Sequence, residues 1–324
     1  MGSPVKETKD EYEVSSRRPD TRTKWQAFKN AIYNPEEKTL LGRDKKKWGI
    51  VTVFYMVFYS VLAVLCAICY MGLMVTIDEN RPKYTLDSSI IGTNPGMGFR
   101  PLPNLEHGST ISYTLSNYSH IAEWTARIDQ FLEMYMDKTK LPNGGRNQMI
   151  CNYSRPMEPG KVCEVDIRKL GNCSKAMDYG YRNSSPCVFI KLNRIMDWKP
   201  IFYNNPKDLP QSMKQDLKDY ILRFGEAGKD RLNTIWVSCN GESPTDISNM
   251  GRLEYYPYQG FPGYYYPYEN APDYLSPVVA VRFTRPKINV TINVECKAWA
   301  KNIKYSSHRG EKVGSVHFEL LIKE

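Results

Sequence analysis

The residues able to do chemistry in this 324-residue chain are eight cysteines, four histidines and a scatter of carboxylates. An enzyme would bring some of them together as a nucleophile with its base, as an acid/base pair or as a metal cluster. His107, His120, His308 and His317 stand alone, none at ligand spacing from another His or Cys. No Gly-rich phosphate loop and no G-x-S-x-G elbow occurs. Asp137-Lys138-Thr139 resembles the start of the phosphorylation loop of P-type ATPases, but Lys140 replaces the glycine that lets that loop turn. An Asp-x-Asp pair, which many Golgi glycosyltransferases use to hold a metal and a nucleotide sugar, is also missing. These patterns point to a protein that acts by binding, with no cofactor.

The cysteines divide by environment. Cys66-Ala-Ile-Cys69 has redox or zinc spacing but lies in a long apolar run, where a thiolate is costly, so it reads as two inert thiols. Cys151, Cys163, Cys173, Cys187, Cys239 and Cys296 follow that run, and an even number in an oxidising compartment reads as three disulfides. Six cysteines allow fifteen connectivities, and spacing does not choose among them. N-glycosylation sequons begin at Asn117, Asn152, Asn172, Asn183 and Asn289, all after the apolar run and none before it. At Asn172 the middle residue is Cys173, whose oxidation competes with glycosylation.

The run from Gly49 to Ile77 holds no charged residue. As a helix it is about 44 Å long, more than the ~30 Å of hydrocarbon in a bilayer. It lies too deep in the chain and is too long for a cleaved leader, so it reads as a signal anchor over residues 48–77. Six Lys/Arg (Lys29, Lys38, Arg43, Lys45, Lys46, Lys47) precede it within twenty residues and two (Arg81, Lys83) follow. The positive-inside rule then places residues 1–47 in the cytosol and the C-terminal part outside, a single-pass type II topology. The net charge of +9 is shared between tail (+4) and C-terminal part (+5) without a basic stripe, which argues against nucleic acid as a partner.

Within the run, Tyr55, Phe58 and Tyr59 are unusual for a plain anchor. Tyr59 lies roughly 16 Å in from Trp48, where a phenol hydroxyl needs a protein partner. Ser60, Ala63 and Ala67 add a stripe for close approach. Before the run, Trp25, Phe28, Ile32 and Tyr33 have the spacing of a short amphipathic turn at the membrane surface, within an otherwise polar, flexible segment over 1–34.

Beyond the run, the prolines and glycines of 78–110 predict an extended stalk, and 111–324 a disulfide-linked domain. Ile121, Trp124, Ile128, Phe131 or Leu132, and Tyr135 recur at helical spacing. A second helix is expected after Pro206, with Leu209, Met213, Leu217, Tyr220 and Phe224 on one face. Runs 187–195, 233–240, 276–284, 289–300 and 313–322 are rich in Val, Ile, Phe and Thr and read as strands of a β-sandwich with inserted helices. Residues 255–274 hold eight tyrosines, with prolines at 257, 262, 267 and 272. They read equally as a stiff packed loop or as a partner-binding face.

Several blocks, in order and spacing, resemble the beta subunit of sodium/potassium-transporting ATPase. They are Leu41-Gly42-Arg43 with Trp48, Phe54-Tyr55 and Phe58-Tyr59 with Leu62-Ala63, and Tyr179-Gly180-Tyr181. Pro186 to Ile195 with Trp198-Lys199-Pro200, Tyr255-Tyr256-Pro257-Tyr258, Tyr274-Leu275-x-Pro277 through Phe283, Glu295-Cys296-x-Ala298 and Asn302-Ile303 complete the set. The resemblance implies one transmembrane helix plus a mainly-β, immunoglobulin-like sandwich ectodomain. It implies disulfides Cys151–Cys163, Cys173–Cys187 and Cys239–Cys296. It implies a catalytic alpha subunit of a P-type ATPase as obligate partner at the plasma membrane, touched by Tyr55, Phe58 and Tyr59 in the span and by Tyr255, Tyr256 and Tyr258 outside it. Membrane lipid and a small single-span regulatory subunit complete the expected partners. The Cys151–Cys163 loop is short for that family and the tyrosine tract is extended by a second Tyr-Tyr-Pro-Tyr, an invertebrate-like feature. The related proton/potassium pump beta subunit and a cell-adhesion glycoprotein are the alternatives.

Overall fold

The computed structural model describes residues 23, 25, 28–29, 32–35, 38–104, 106, 108–305 and 313–324. The expectation of a flexible segment over 1–34 falls largely outside them, as do His107 and His308. The chain divides into two units, Met1–Ile77 and Asp78–Glu324.

The first unit holds a two-strand hairpin, β1 (Tyr33–Asn34) and β2 (Thr39–Leu40), followed by helix α1, Lys45–Val75. None of the 31 residues of α1 is buried within the chain. Its backbone bonds are satisfied along the helix itself, which is what a chain crossing hydrocarbon requires.

The second unit is a sandwich. Its strands are β3 (Met97–Arg100), β4 (Thr110–Thr114), β5 (Gln148–Met149), β6 (Val162–Cys163), β7 (Cys187–Leu192), β8 (Thr234–Gly241), β9 (Arg252–Tyr256), β10 (Gly260–Pro262), β11 (Val278–Thr284), β12 (Thr291–Trp299) and β13 (Ser315–Lys323). One sheet runs β10-β8-β12-β13-β4, the other β3-β7-β11-β9, and β5 and β6 pair separately. All pairings in the two large sheets are antiparallel except β13 with β4. Along β12, Ile292, Val294, Cys296 and Ala298 are buried while Asn293, Glu295 and Lys297 are half-buried on the outer face. That is the period of two expected where one face meets the core.

β7 and β11 are instead apolar almost throughout, because both of their faces are covered. Helix α2, Tyr118–Met136, buries Ile121, Trp124, Ile128 and Leu132, and its Phe131 ring lies 6.2 Å from Phe189 of β7. Asn117 caps α2 by accepting from Ser119 N, and Trp124 Nε1 donates to Ser112 O of β4. Helix α3, Gln215–Glu226, presses Leu217 and Ile221 onto Trp236 and Trp299 on the outer face of the five-stranded sheet. Leu209 and Met213, expected on that helix, precede it and join the same cluster as part of the approach. A short helix, α4 (Pro244–Asn249), opens on a capping box between Ser243 and Asp246. Asp246 also accepts from Asn293 N, and these bonds outweigh its burial to hold its carboxyl below the usual range.

The expected stalk over 78–110 is not extended. Asn80 O accepts from Asn270, Arg81 pairs with Asp197 at 2.6 Å, and Asn94 exchanges hydrogen bonds with the backbone of Lys304. Leu86 packs on the main core, and Met97 and Phe99 bury as alternate residues of an edge strand paired with β7. The prolines and glycines mark a path laid along the domain, and the Met97/Phe99 alternation outweighs them.

The motif Tyr179-Gly180-Tyr181 gets its shape from three successive left-handed residues, Asp178, Tyr179 and Gly180. A Cβ on Gly180 would lie 2.0 Å from Ser185 O, so no side chain fits. The turn buries both tyrosines and lets Tyr179 donate to Asp129 of α2 at 2.6 Å. Gly180→Ala is therefore expected to cost about 3 kcal/mol or more. Thermal unfolding of the purified protein checks this, and an unchanged midpoint would refute it.

Candidate partner surfaces and modification sites

Covalent ties come first. Cys151 joins Cys163, Cys173 joins Cys187 and Cys239 joins Cys296, at sequence separations of 12, 14 and 57. The third links facing residues of β8 and β12, in the middle of the five-stranded sheet. Cys66 and Cys69 are free thiols on the outside of α1.

The five sequon asparagines are all exposed, but their side chains are engaged differently. Asn117 and Asn152 use Oδ1 in local turns, Asn117 accepting from Ser119 N and Asn152 from Ser154 N and Arg155 N, and Nδ2 of neither has a hydrogen bond to a described residue. Asn289 Oδ1 accepts from Glu324 N, tying the C-terminus to the β11–β12 loop. Asn172 Nδ2, the atom that would carry a sugar, donates to Tyr256 Oη, and its neighbour Cys173 is fully buried in a disulfide.

The tyrosine tract is a strap bound to its own domain. Tyr255 Oη accepts from Cys239 N, and burial pushes its hydroxyl pKa up to about 12 against that bond. Tyr256 donates to Glu254, and the Tyr258 ring lies edge-on to Phe224 of α3. Tyr265 donates to Glu164 O, and Tyr266 meets Trp198 edge to face. The Arg194 guanidinium lies 5.3 Å and 5.2 Å from the rings of Tyr268 and Tyr274 and donates to Ser276 Oγ and Tyr274 O. Of Tyr255, Tyr256 and Tyr258, the hydroxyl of Tyr258 alone has no hydrogen bond to a described residue.

Two residues important here were not singled out from the sequence. Arg194 is one. Asp273 is the other: buried, it accepts from Asn143 N and Asn147 N and so fixes the loop before β5 to the end of the strap. Asp in a left-handed turn is a turn signal, and nothing in the sequence shows what its carboxylate meets.

On α1, Tyr55 and Tyr59 stack with centroids 5.9 Å apart, and Phe54 and Phe58 at 6.2 Å. Tyr55, Phe58 and Tyr59 are about half exposed. A groove lined by Trp48, Thr52, Tyr55, Tyr59, Ser60 and Ala63 runs along the tyrosine side, and Ser60 Oγ turns back onto Met56 O.

Asp137 caps a turn, its carboxylate accepting from the Thr139 hydroxyl and Thr139 N. These two bonds, in that order, hold its pKa below the usual value. His317 lies between Glu242 and Glu295 on the outer sheet face. Among the described residues no three potential ligands gather as a metal site.

Two expectations follow. Exposure with a free Nδ2 predicts that Asn117→Gln and Asn152→Gln each remove one step of glycosidase-sensitive gel mobility, while Asn172→Gln removes none; a step lost at Asn172 would contradict the Tyr256 bond. Cys239→Ser opens a 57-residue loop, about 4 kcal/mol on the chain-entropy relation. Retention in the endoplasmic reticulum is expected, and normal surface biotinylation would refute it.

The family pattern for the sodium/potassium ATPase beta chain matches residues 18–318. A sodium/potassium-transporting ATPase subunit beta-2 of Drosophila melanogaster is 45% identical over 97% of each chain. A beta-1 subunit of the same organism is 43% identical over 92% of this chain and 94% of its own. A human beta-2 subunit is 29% identical over the same shares. These relatives favour the sodium/potassium form over the proton/potassium alternative. With one apolar spanning helix among the described residues, a two-sheet β domain and similarity along nearly its whole length, the chain is a single-pass membrane protein belonging to the sodium/potassium ATPase beta-chain family.

Proposed function

We propose that the chain is the non-catalytic partner of a P-type ATPase alpha subunit, and that it acts by binding energy alone. The β domain lies outside the cytosol and the N-terminus within it, in the plasma membrane. Six Lys/Arg before the span against two after it, and sequons confined to one side, support that orientation. The relatives named above are subunits of the sodium/potassium-transporting ATPase, which supplies the partner.

The observation that carries the reading is the aromatic face of α1. Tyr55 and Tyr59 stack on one side of a helix that buries nothing within its own chain. In hydrocarbon their hydroxyls are best satisfied by another protein. Phe58 adds apolar contact beside them. Outside the membrane, Tyr255, Tyr256 and Tyr258 are all half-buried, and the Tyr258 hydroxyl is the one of the three left open for direct contact.

Such contacts let the subunit stabilise the folding alpha chain and accompany it to the cell surface. Contact with helices that move in the transport cycle also biases the pump's states. A differential of a few tenths to 2 kcal/mol shifts apparent ion affinity measurably. Tyr55→Leu with Tyr59→Leu keeps the helix apolar and removes both hydroxyls. Co-expressed with an alpha subunit, this variant is expected to lower assembly or to change apparent potassium affinity several-fold. Unchanged values of both would reject the aromatic face as the contact.

A further inference from the structure

On the face of β7 that α2 covers, Phe189 is followed two residues on by Lys191, a cation in an otherwise apolar strand. Lys191 stands opposite Gly98 of β3, which leaves its stem room to lie across that strand. Arg100 is the next residue of β3 on the same face. Arg194 follows just beyond β7. Arg100 and Arg194 both act on the Tyr135 hydroxyl at the end of α2, and both repel the Lys191 ammonium.

Three cations thus converge without an acid. Arg100 donates to Phe99 O, its guanidinium 5.7 Å from the Phe131 ring. Arg194 donates to the neutral Ser276 Oγ and Tyr274 O. Lys191 is half-buried and has no hydrogen bond or ion pair to a described residue. Burial first, and then the two guanidiniums, push its pKa below the usual lysine value. The acids of neighbouring segments are engaged elsewhere. Asp129 pairs with Lys175, Glu133 with Lys140 and Asp197 with Arg81. Asp273 accepts from Asn143 N and Asn147 N, and Glu269 lines a separate pocket with Lys199.

Like charges held together in a half-buried corner repel, and an oxyanion among them turns that repulsion into charge-assisted hydrogen bonds. A single carboxylate would leave two positive charges over, so the match is a ligand with several negative groups. The Phe131 and Tyr268 rings beside the guanidiniums add apolar surface on which a sugar ring can rest. Outside the cytosol, sulfated polysaccharide combines closely spaced oxyanions with sugar rings.

We propose that Arg100, Lys191 and Arg194 form a binding site for the sulfate groups of an extracellular sulfated glycan. The proposal rests on the reading that the β domain lies outside the cytosol. The test uses the full chain assembled with its alpha subunit in phosphatidylcholine nanodiscs, with binding of a heparin octasaccharide measured by microscale thermophoresis. Arg100→Gln and Lys191→Gln are each expected to weaken binding about tenfold. Lys191→Arg is expected to keep it, and the fully desulfated octasaccharide is expected not to bind. Because Lys191→Gln removes a repelled charge, the thermal midpoint of the complex without octasaccharide is expected to stay or rise. Unchanged affinity in Lys191→Gln, or a lowered midpoint accompanying the loss, would overturn the proposal. An equal loss in Lys229→Gln, an exposed cation beyond α3, would mark diffuse attraction and overturn it too. Lowered recovery of the alpha subunit with Lys191→Gln, octasaccharide binding staying intact, would assign the three cations to protein contact and overturn it equally. Protease protection of the β domain in sealed microsomes tests the orientation separately, since nanodiscs leave both sides of the complex open.

Discussion

The last strand of the chain is not at the edge of its sheet. β13 pairs antiparallel with β12 on one side and parallel with β4 on the other, so Ser315–Lys323 fills an interior slot. Phe318, Leu320 and Ile322 of this strand enter the core with no more than 1% exposure. Without it, β12 and β4 each present an unpaired edge, and buried backbone groups lose their partners. The β4 and α2 region is thereby held to the C-terminal half of the domain through residues far along the chain. Non-local closure of this kind is slow. The Cys239–Cys296 bond next to it fixes β8 to β12 and limits the ways the sheet can be mispaired.

The tyrosine strap follows from the same economy of edges. Between β9 and β11 the chain must cross from one sheet to the other and return, with β10 pairing to β8 on the way. Proline stiffens the crossing, and the tyrosines cover apolar surface while the hydroxyls of Tyr255, Tyr256, Tyr265 and Tyr268 reach a backbone or side-chain group. Asp273 and Arg194 then fix the far end of the strap. A strap built this way has a fixed shape.

Much of this was legible in the sequence. The absence of charge from Gly49 to Ile77 identified the spanning helix, and the spacing of Ile121, Trp124, Ile128 and Leu132 identified α2. The strand runs agree with β7, β8, β11, β12 and β13 to within a few residues at each end. What local pattern did not show was long-range. Residues 78–110 carry loop chemistry, and only partners far along the chain, such as Asp197, Asn270 and Lys304, draw them onto the domain. The tyrosine tract was equally open, because composition does not say which way a ring faces. Disulfide pairing was undetermined by spacing, and the resemblance to a known family supplied it.

The central claim is that this chain works as one half of a pump. Affinity purification from a mild-detergent membrane extract, with co-purifying proteins identified and assayed for ATP hydrolysis, tests it most directly. The account predicts a P-type ATPase alpha subunit in roughly equimolar amount, with ATPase activity that fractionates with this chain. Recovery of this chain alone, with no ATPase at any stage of the purification, would contradict it.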